Sequence, residues 1–463
     1  MPAGIASARS VAFDVLRRVE ERRAHADAVL GPRLTRSRLG AADQALATRL
    51  VYGTLAWQGR LDWHLAQLCT SPPERLDPWL RAILRLGLYQ ILFLDRVPVY
   101  AAVDTSADLA RRFKHGAATG LVNATLRRAA ADPDSLTLPD RDADPVWASA
   151  IRWSHPQWLV ARWREELGEA ELESLLRANQ EPAPTDLRVN TLRTDRPSLV
   201  QRLHATGLTG ARATAYSPVG IRLDGPLQAA AAAIPDGWST TQSEASQLIA
   251  YLLGPRPAER ILDACAAPGG KATLLAALMK NRGEVLAVDV SQRGLRQVRQ
   301  RSAELGISII RTRLTDVRLL ARSHCRRPAG EPFDRVLVDA PCSGLGTLRS
   351  HPDLKWRVQA GDEHTLARMQ SDILRSVAGL CAPGGVLVYA TCTINQTENQ
   401  AVIRSFCAEH PYFQLEDPRP DLPPSIRPLI DNDGFLRTFP HRHGIDGFFA
   451  ARLRRRRHGA QPR

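Results

Sequence analysis

An acid and a thiol stand three residues apart in Asp339-Ala-Pro-Cys342. The apolar run Val336-Leu-Val before them reads as the end of a buried parallel strand, and Ser343-Gly-Leu-Gly346 after them as a loop. In open α/β sheets ligands bind outside the carboxyl ends of the strands, so both side chains would face a site. There a carboxylate can move protons and a thiolate can attack an electron-poor carbon. The bland alternative is a loop carrying a buried structural cysteine. Other strand ends weigh against it. Asp263 closes Arg260-Ile-Leu-Asp263, Asp289 closes Glu284-Val-Leu-Ala-Val-Asp289, and Cys392 follows Gly384-Gly-Val-Leu-Val-Tyr-Ala-Thr391. Acids and a second thiol gathered at strand ends are the pattern of a site.

The elements that would position these groups can be read around them. Asp263 leads through Ala264 into Cys265-Ala266-Ala267-Pro268-Gly269-Gly270-Lys271 and then a helix from Ala272 to Leu278. Strand, acid, glycine turn and helix form a unit that cradles a nucleotide. A phosphate-binding P-loop would need glycine where Cys265 stands and Ser or Thr where Ala272 stands, so that reading fails. Asp289 lies about twenty residues beyond the turn, a spacing suited to a carboxylate that receives ribose hydroxyls. A helix from Gly294 to Leu305, a strand around Ile307 to Thr312, Asp316 in the next loop and a helix from Thr365 to Leu380 complete the alternation. Strand and helix alternating from 260 to 410 predict a parallel, doubly wound sheet.

The 463 residues suffice for two to three domains, each with its own core. A hydrophobic fraction of 44% is ordinary, and no apolar run approaches a membrane span, so no membrane is expected. The start, Met1-Pro-Ala-Gly-Ile-Ala-Ser-Ala-Arg9, lacks a basic-then-apolar secretory pattern. Seven cysteines without a CxxC pair argue against a disulfide framework and against a zinc site, and fit a reducing cytoplasm. A net charge of +14 suggests a polyanionic partner, most simply nucleic acid. The basic residues are nearly all Arg, which makes the kept lysines informative: Lys271 and Lys355 both fall inside motifs, hinting that the ammonium itself is needed.

Residues 1–135 read as an all-helical module, with Ala12, Val15, Leu16 and Val19 on one face and Leu and Ile crowding Arg81 to Leu94. His64 and His115 read as surface or satisfied core histidines. A Pro- and Asp-rich linker from Ala131 to Pro145 precedes a small mixed α/β connector over 146–235, in which Arg188 and Asn190 share one side of a strand-like run. The catalytic half spans 236–455.

Taken together, Asp263-Ala-Cys-Ala-Ala-Pro-Gly-Gly-Lys271, Val-Asp289, Asp339-Ala-Pro-Cys342-Ser-Gly, His351-Pro-Asp-Leu-Lys355-Trp-Arg, Thr391-Cys392-Thr and the ending Asp446-Gly-Phe-Phe-Ala-Ala-Arg-Leu453 resemble the RNA cytosine-5 methyltransferase family. The helical module is similar to the antitermination factor NusB, a pairing that points to a bacterial enzyme of small-subunit (16S) ribosomal RNA. The resemblance implies a NusB-like helical bundle, the α/β connector and a Rossmann-like class I methyltransferase domain. It implies S-adenosylmethionine held by Cys265 to Lys271, with Asp289 at the ribose, Asp316 at the adenine edge and Asp339 near the amino-acid end. It makes Cys392 the nucleophile that adds to cytosine C6, Asp339 the group at N3 and Cys342 the helper in product release. A thiol is only a few per cent ionised near neutral pH, so Cys392 would need cationic surroundings such as Lys271 or Lys355. The target base must leave its stack to be reached, and Arg188 with Asn190 are candidate RNA contacts; the run Arg454 to Arg457 is another candidate, although it reads better as a solvated tail.

A DNA cytosine-5 methyltransferase would carry a Pro-Cys pair too, with that cysteine as nucleophile; the second thiol at Cys392 and the NusB-like module favour RNA. A non-catalytic RNA-binding assembly factor with a relict cofactor fold predicts damaged motifs, yet Lys271, Asp339, Cys342 and Cys392 all stand. A small-molecule methyltransferase explains neither the basic balance nor the two thiols.

Overall fold

The computed structural model describes residues 7–22, 24–113, 116–225, 227–324 and 331–457; His115 lies outside this set. The chain divides into two compact units, Met1–Pro182 with Leu348–Ala360, and Ala183–Thr347 with Gly361–Arg463.

The first unit is helical. Its helices run Ala8–Arg22, Ala26–Ser37, Ala41–Ala56, Gln58–Leu68, Pro78–Phe93, Val99–Phe113 and Gly116–Ala131, followed by Pro145–Arg152, Gln157–Leu167 and Glu169–Ala178. Leu61, Leu65 and Leu68 recur at helical spacing and meet Leu50, Ile83 and Leu126 in one core. His64 sits on this buried side, and burial, helped by the charge of Arg60, pulls its pKa to about 4. It is a neutral core histidine. The short helix Leu354–Arg357 belongs to this unit although it lies far along the chain. Lys355 is fully buried and donates to Ala56 O at 2.7 Å, and Trp356 Nε1 donates to Leu55 O at 2.9 Å. Both acceptors sit at the C-terminal end of Ala41–Ala56, where the last carbonyls have no intrahelical donors; burial pulls the Lys355 pKa well down, and its amine supplies one of those missing donors. His351 Nδ1 meets Asp27 Oδ2 at 2.8 Å, and a side chain at Gly59 would run into the Trp356 ring at 2.6 Å.

The second unit holds two sheets. The smaller contains β1 (Thr185–Val189), β2 (Arg212–Ala213), β3 (Gly220–Leu223) and β4 (Ser239–Thr241), in the order β2-β3-β1-β4 with antiparallel pairs throughout. The larger contains β5 (Arg260–Asp263), β6 (Glu284–Asp289), β7 (Ile310–Leu314), β8 (Phe333–Asp339), β9 (Cys381–Thr391), β10 (Phe413–Leu415), β11 (Leu436–Arg437) and β12 (Phe449–Arg455). Its order is β10-β12-β9-β8-β5-β6-β7, with β11 on β12. Leu337 enters one apolar cluster while Val336 and Val338 enter the opposite one, so β8 is covered on both faces as its continuous apolar run requires.

The five strands β5 to β9 are parallel as expected, whereas β12 runs antiparallel between β9 and β10. The strand expected around Ile307 begins at Ile310 because the preceding helix, Gln292–Glu304, ends in a left-handed cap. Gly306 adopts φ +69°, and the N–H groups of Gly306 and Ile307 turn back onto Ala303 O and Ser302 O.

Candidate active site

The glycine turn is stitched to the strands on either side of it. Ala264 N donates to Leu337 O on β8, and Ala266 N to Val288 O on β6, both at 2.9 Å. Gly269 has φ +99°, and a Cβ there would lie 3.0 Å from Val298 Cα, so the close approach of turn and helix requires glycine. The helix Gly270–Leu278 follows, and Thr273 N onto Gly269 O is the bond that closes its first turn. The N–H groups before it have no place in the helical ladder, which makes this terminus a holder of negative charge. Asp289 lies beside the turn, with Oδ2 accepting from Ala267 N at 3.0 Å and Oδ1 from Ser291 N at 2.7 Å. A carboxylate accepts more than two bonds, so capacity for a ligand remains. The residues present fit a nucleoside with a carboxylate-bearing tail.

Four acids converge here. The fields of Asp263, Asp339, Asp289 and Asp316, added to burial, push the Cys265 thiol up and keep it protonated. Asp263 is 1% exposed, and neither of its oxygens finds a hydrogen-bond partner among the described residues, the Cys265 N–H being near enough only to ease its charge. Burial, and then the field of Asp339, raise its pKa to about 7. Asp316 stands just past β7, where its carboxylate caps Arg318 N at 2.9 Å and pairs with the Arg318 guanidinium at 2.6 Å.

Asp339 ends β8 opposite Ala390 of β9. Its Oδ2 lies 2.5 Å from Lys271 Nζ. Burial works against the Lys271 charge, but the fields of Asp339, Cys392 and Asp263 outweigh it and hold the ammonium charged. Because β8 and β9 are adjacent and parallel, the residues just beyond their ends come together: Cys342 Sγ is 3.4 Å from Cys392 Sγ. The contact with Cys392 and burial push the Cys342 thiol well up, so of the two sulfurs Cys342 keeps its proton. Gly346 N donates to Cys392 O at 3.0 Å, and Gly447 N to Gly346 O at 2.7 Å, which fastens the Cys342 loop between β9 and the approach to β12.

Lys271, Asp339, Cys342 and Cys392 thus form one constellation, with the glycine turn and Asp289 beside it. Three expectations change. Lys355 is engaged in the helical unit by Ala56 O, which leaves Lys271 as the cation beside Cys392. Arg188 and Asn190 are 1% and 2% exposed and cannot be surface RNA contacts. Arg188 instead donates to Gly270 O, to Gln242 Oε1 at 2.7 Å and to Thr273 Oγ1 at 2.9 Å, and Asn190 Nδ2 to Gly237 O at 2.7 Å. The run Arg454 to Arg457 is no loose tail: Arg454 pairs with Glu416 at 2.7 Å, Arg455 donates to Cys381 O, and Arg456 N to Tyr412 O. Sequence reasoning also passed over Glu398, buried beside both cysteine loops. Its signal was available, since it is the lone charge between Val386 and Arg404.

Five parallel strands, a glycine turn after the central one and an antiparallel strand beside β9 define a Rossmann-like methyltransferase domain, which follows a helical module in the chain. Comparison with known proteins agrees. Residues 250–454 match the 16S rRNA methyltransferase RsmB/F description, 6–131 the NusB family, and 155–230 the ferredoxin-like domain of RsmF/B-like methyltransferases. The probable ribosomal RNA small subunit methyltransferase B of Bacillus subtilis is 35% identical over 97% of this chain and 99% of its own. The ribosomal RNA small subunit methyltransferase B of Pseudomonas putida is 36% identical over 89% of this chain and 90% of its own. The solved structure of PH0851 superposes with a TM-score of 0.81 at 28% identity, covering 97% of this chain and 99% of that one. The chain belongs to the RsmB/F family of small-subunit ribosomal RNA methyltransferases.

Proposed function

We propose that the protein transfers a methyl group from S-adenosylmethionine to C5 of a cytosine in 16S ribosomal RNA, through a covalent bond between Cys392 and C6. The observation that carries this reading is the pair of sulfurs at 3.4 Å beside the Asp339–Lys271 pair. The cofactor, when bound, supplies an electrophilic methyl carbon; Cys265 to Lys271 and Asp289 would hold it, and Asp316 its adenine edge.

Cytosine C5 is a poor nucleophile until C6 is saturated. Cys392, as thiolate next to the Lys271 ammonium, forms an Sγ–C6 bond while N3 takes a proton from the Asp339–Lys271 pair, leaving an enamine whose C5 can accept the methyl. Release reverses the addition. A base removes the C5 proton, the C5–C6 double bond re-forms, the Sγ–C6 electron pair returns to Cys392, and N3 gives its proton back. Cys342 is suited to be that base at that moment only, once its own proton has left to solvent and it stands as thiolate. Two of the causes that hold its proton are the contact with Cys392 and the charge of Cys392, and both vanish when Cys392 becomes a neutral thioether. The RNA-binding role falls to the helical module at residues 1–135, and the chemistry to residues 236–455.

Incubating RNA fragments with labelled cofactor and separating products under denaturing conditions tests this. Cys342→Ala is expected to accumulate a protein–RNA adduct and Cys392→Ala to form neither adduct nor methylcytosine. Adducts trapped equally by Cys392→Ala, or equal methylation of matched DNA, would sink the assignment.

A further inference from the structure

Glu398 is fully buried and belongs to neither the cofactor cradle nor the thiol pair, although its charge helps hold the Cys342 proton. Its carboxylate is nonetheless placed between the two loops that carry them. Oε2 accepts from Ser343 N at 2.9 Å and from Gln370 Nε2 at 2.9 Å, and Oε1 accepts from Ser343 Oγ at 2.5 Å. Ser343 directly follows Cys342. Its hydroxyl also lies 2.9 Å from Thr393 Oγ1, and Thr393 directly follows Cys392. Gln370 Nε2 reaches Pro341 O at 2.9 Å, on the other side of Cys342. Tyr389 OH donates to the Glu398 backbone carbonyl at 2.6 Å, tying the acid to β9. The neighbouring Asn399 holds Thr391 Oγ1 at 2.6 Å and Thr393 O at 2.9 Å, so both flanks of Cys392 are fixed as well.

A buried carboxylate with three donors is costly to assemble, and an apolar cluster would hold the strands as well. What this arrangement adds is direction. The anion holds Ser343 after Cys342, and the Ser343 hydroxyl in turn meets Thr393 after Cys392, so the two sulfurs cannot drift apart without breaking a chain of bonds anchored on a buried carboxylate. We infer that Glu398 is a positioning residue for product release, holding the Cys342 loop against the Cys392 loop through Ser343 and Thr393. The inference rests on the two-thiol reading above. Forming the adduct needs Cys392 alone; resolving it needs Cys342 at the right distance. Loosening the Glu398 hub should therefore spare addition and stall elimination.

Glu398→Gln turns one acceptor into a donor facing Ser343 and Gln370, and Ser343→Ala removes the link to Thr393 while keeping the charge. Each is compared with native protein and with Cys342→Ala, scoring turnover, the fraction of RNA trapped as adduct, and S-adenosylmethionine affinity. Both variants should trap at least fivefold more adduct than native protein, with turnover down about tenfold and cofactor affinity within twofold. If Cys342→Ala traps adduct and these variants do not, the inference is overturned while the two-thiol reading stands. If Cys342→Ala traps none, that reading fails and takes the inference with it. Loss of cofactor binding in both variants, in step with turnover, would make Glu398 a brace of the fold and overturn the inference too.

Discussion

Asp263 carries a pH dependence that can be worked out in sign. The folded chain holds its carboxyl proton up to about pH 7, whereas the ordinary value is 3.8. Stability from this group is therefore fully present below pH 4 and is lost as pH rises to about 7, at roughly 1.4 kcal/mol per unit and about 4 kcal/mol in all. Asp263→Asn stays neutral, so its melting temperature without cofactor should overtake that of the native protein between pH 5 and pH 8. A constant difference across that range would show that Asp263 is charged and compensated throughout. The sequence made Asp263, Asp289, Asp339 and Cys392 legible as strand-end groups because the period of buried strands is plain and each acid interrupts it. It could not assign Lys271 and Lys355 to different surroundings, since a lysine in a motif looks the same whether it meets Asp339 or a helix carbonyl.

Elements position these residues through contacts that are distant in sequence. Arg188 on β1 holds the first turn of Gly270–Leu278 by Gly270 O and Thr273 Oγ1, and its partners are neutral oxygens. Burial, with the charge of Arg301, lowers its pKa to about 9, so it remains a cation at neutral pH. Arg188→Met should weaken S-adenosylmethionine binding about tenfold and leave the salt dependence of RNA binding unchanged, because no phosphate contact is lost. A shallower salt slope would return Arg188 to the RNA surface. Its misreading was physical in origin: in an Arg-rich chain with a charge of +14, a buried arginine has no local signature. Gly346 is the second such joint. A Cβ there would lie 1.9 Å from Gly447 O and 2.9 Å from Cys392 O, both backbone atoms that cannot swing aside. Gly346→Ala should cost about 3 kcal/mol or more, read as a fall in thermal midpoint, and should abolish turnover.

At the level of the whole molecule, the helical unit is built from two stretches of chain, Met1–Pro182 and Leu348–Ala360. The sequence marked His351 to Arg357 as a motif and let it be taken for part of the catalytic half. Nothing in its spacing reveals that Lys355 and Trp356 dock on Ala56 and Leu55. Expressing residues 183–463 alone should give a protein that aggregates or melts well below the full chain, since Trp356 and the Lys355 amine lose their acceptors. A truncated catalytic half with native thermal stability would show this docking to be dispensable. The same excursion bears on how the protein is made. Lys355 and Ala56 are 299 residues apart, so the helical unit, first to leave the ribosome, stays unfinished until two-thirds more of the chain has been translated. At 5–20 residues per second that is a wait of about 15–60 seconds, during which the end of Ala41–Ala56 and the groove at Gly59 stay open. Nascent chains arrested before residue 348 should therefore be more open to protease in this unit than chains arrested well beyond residue 360.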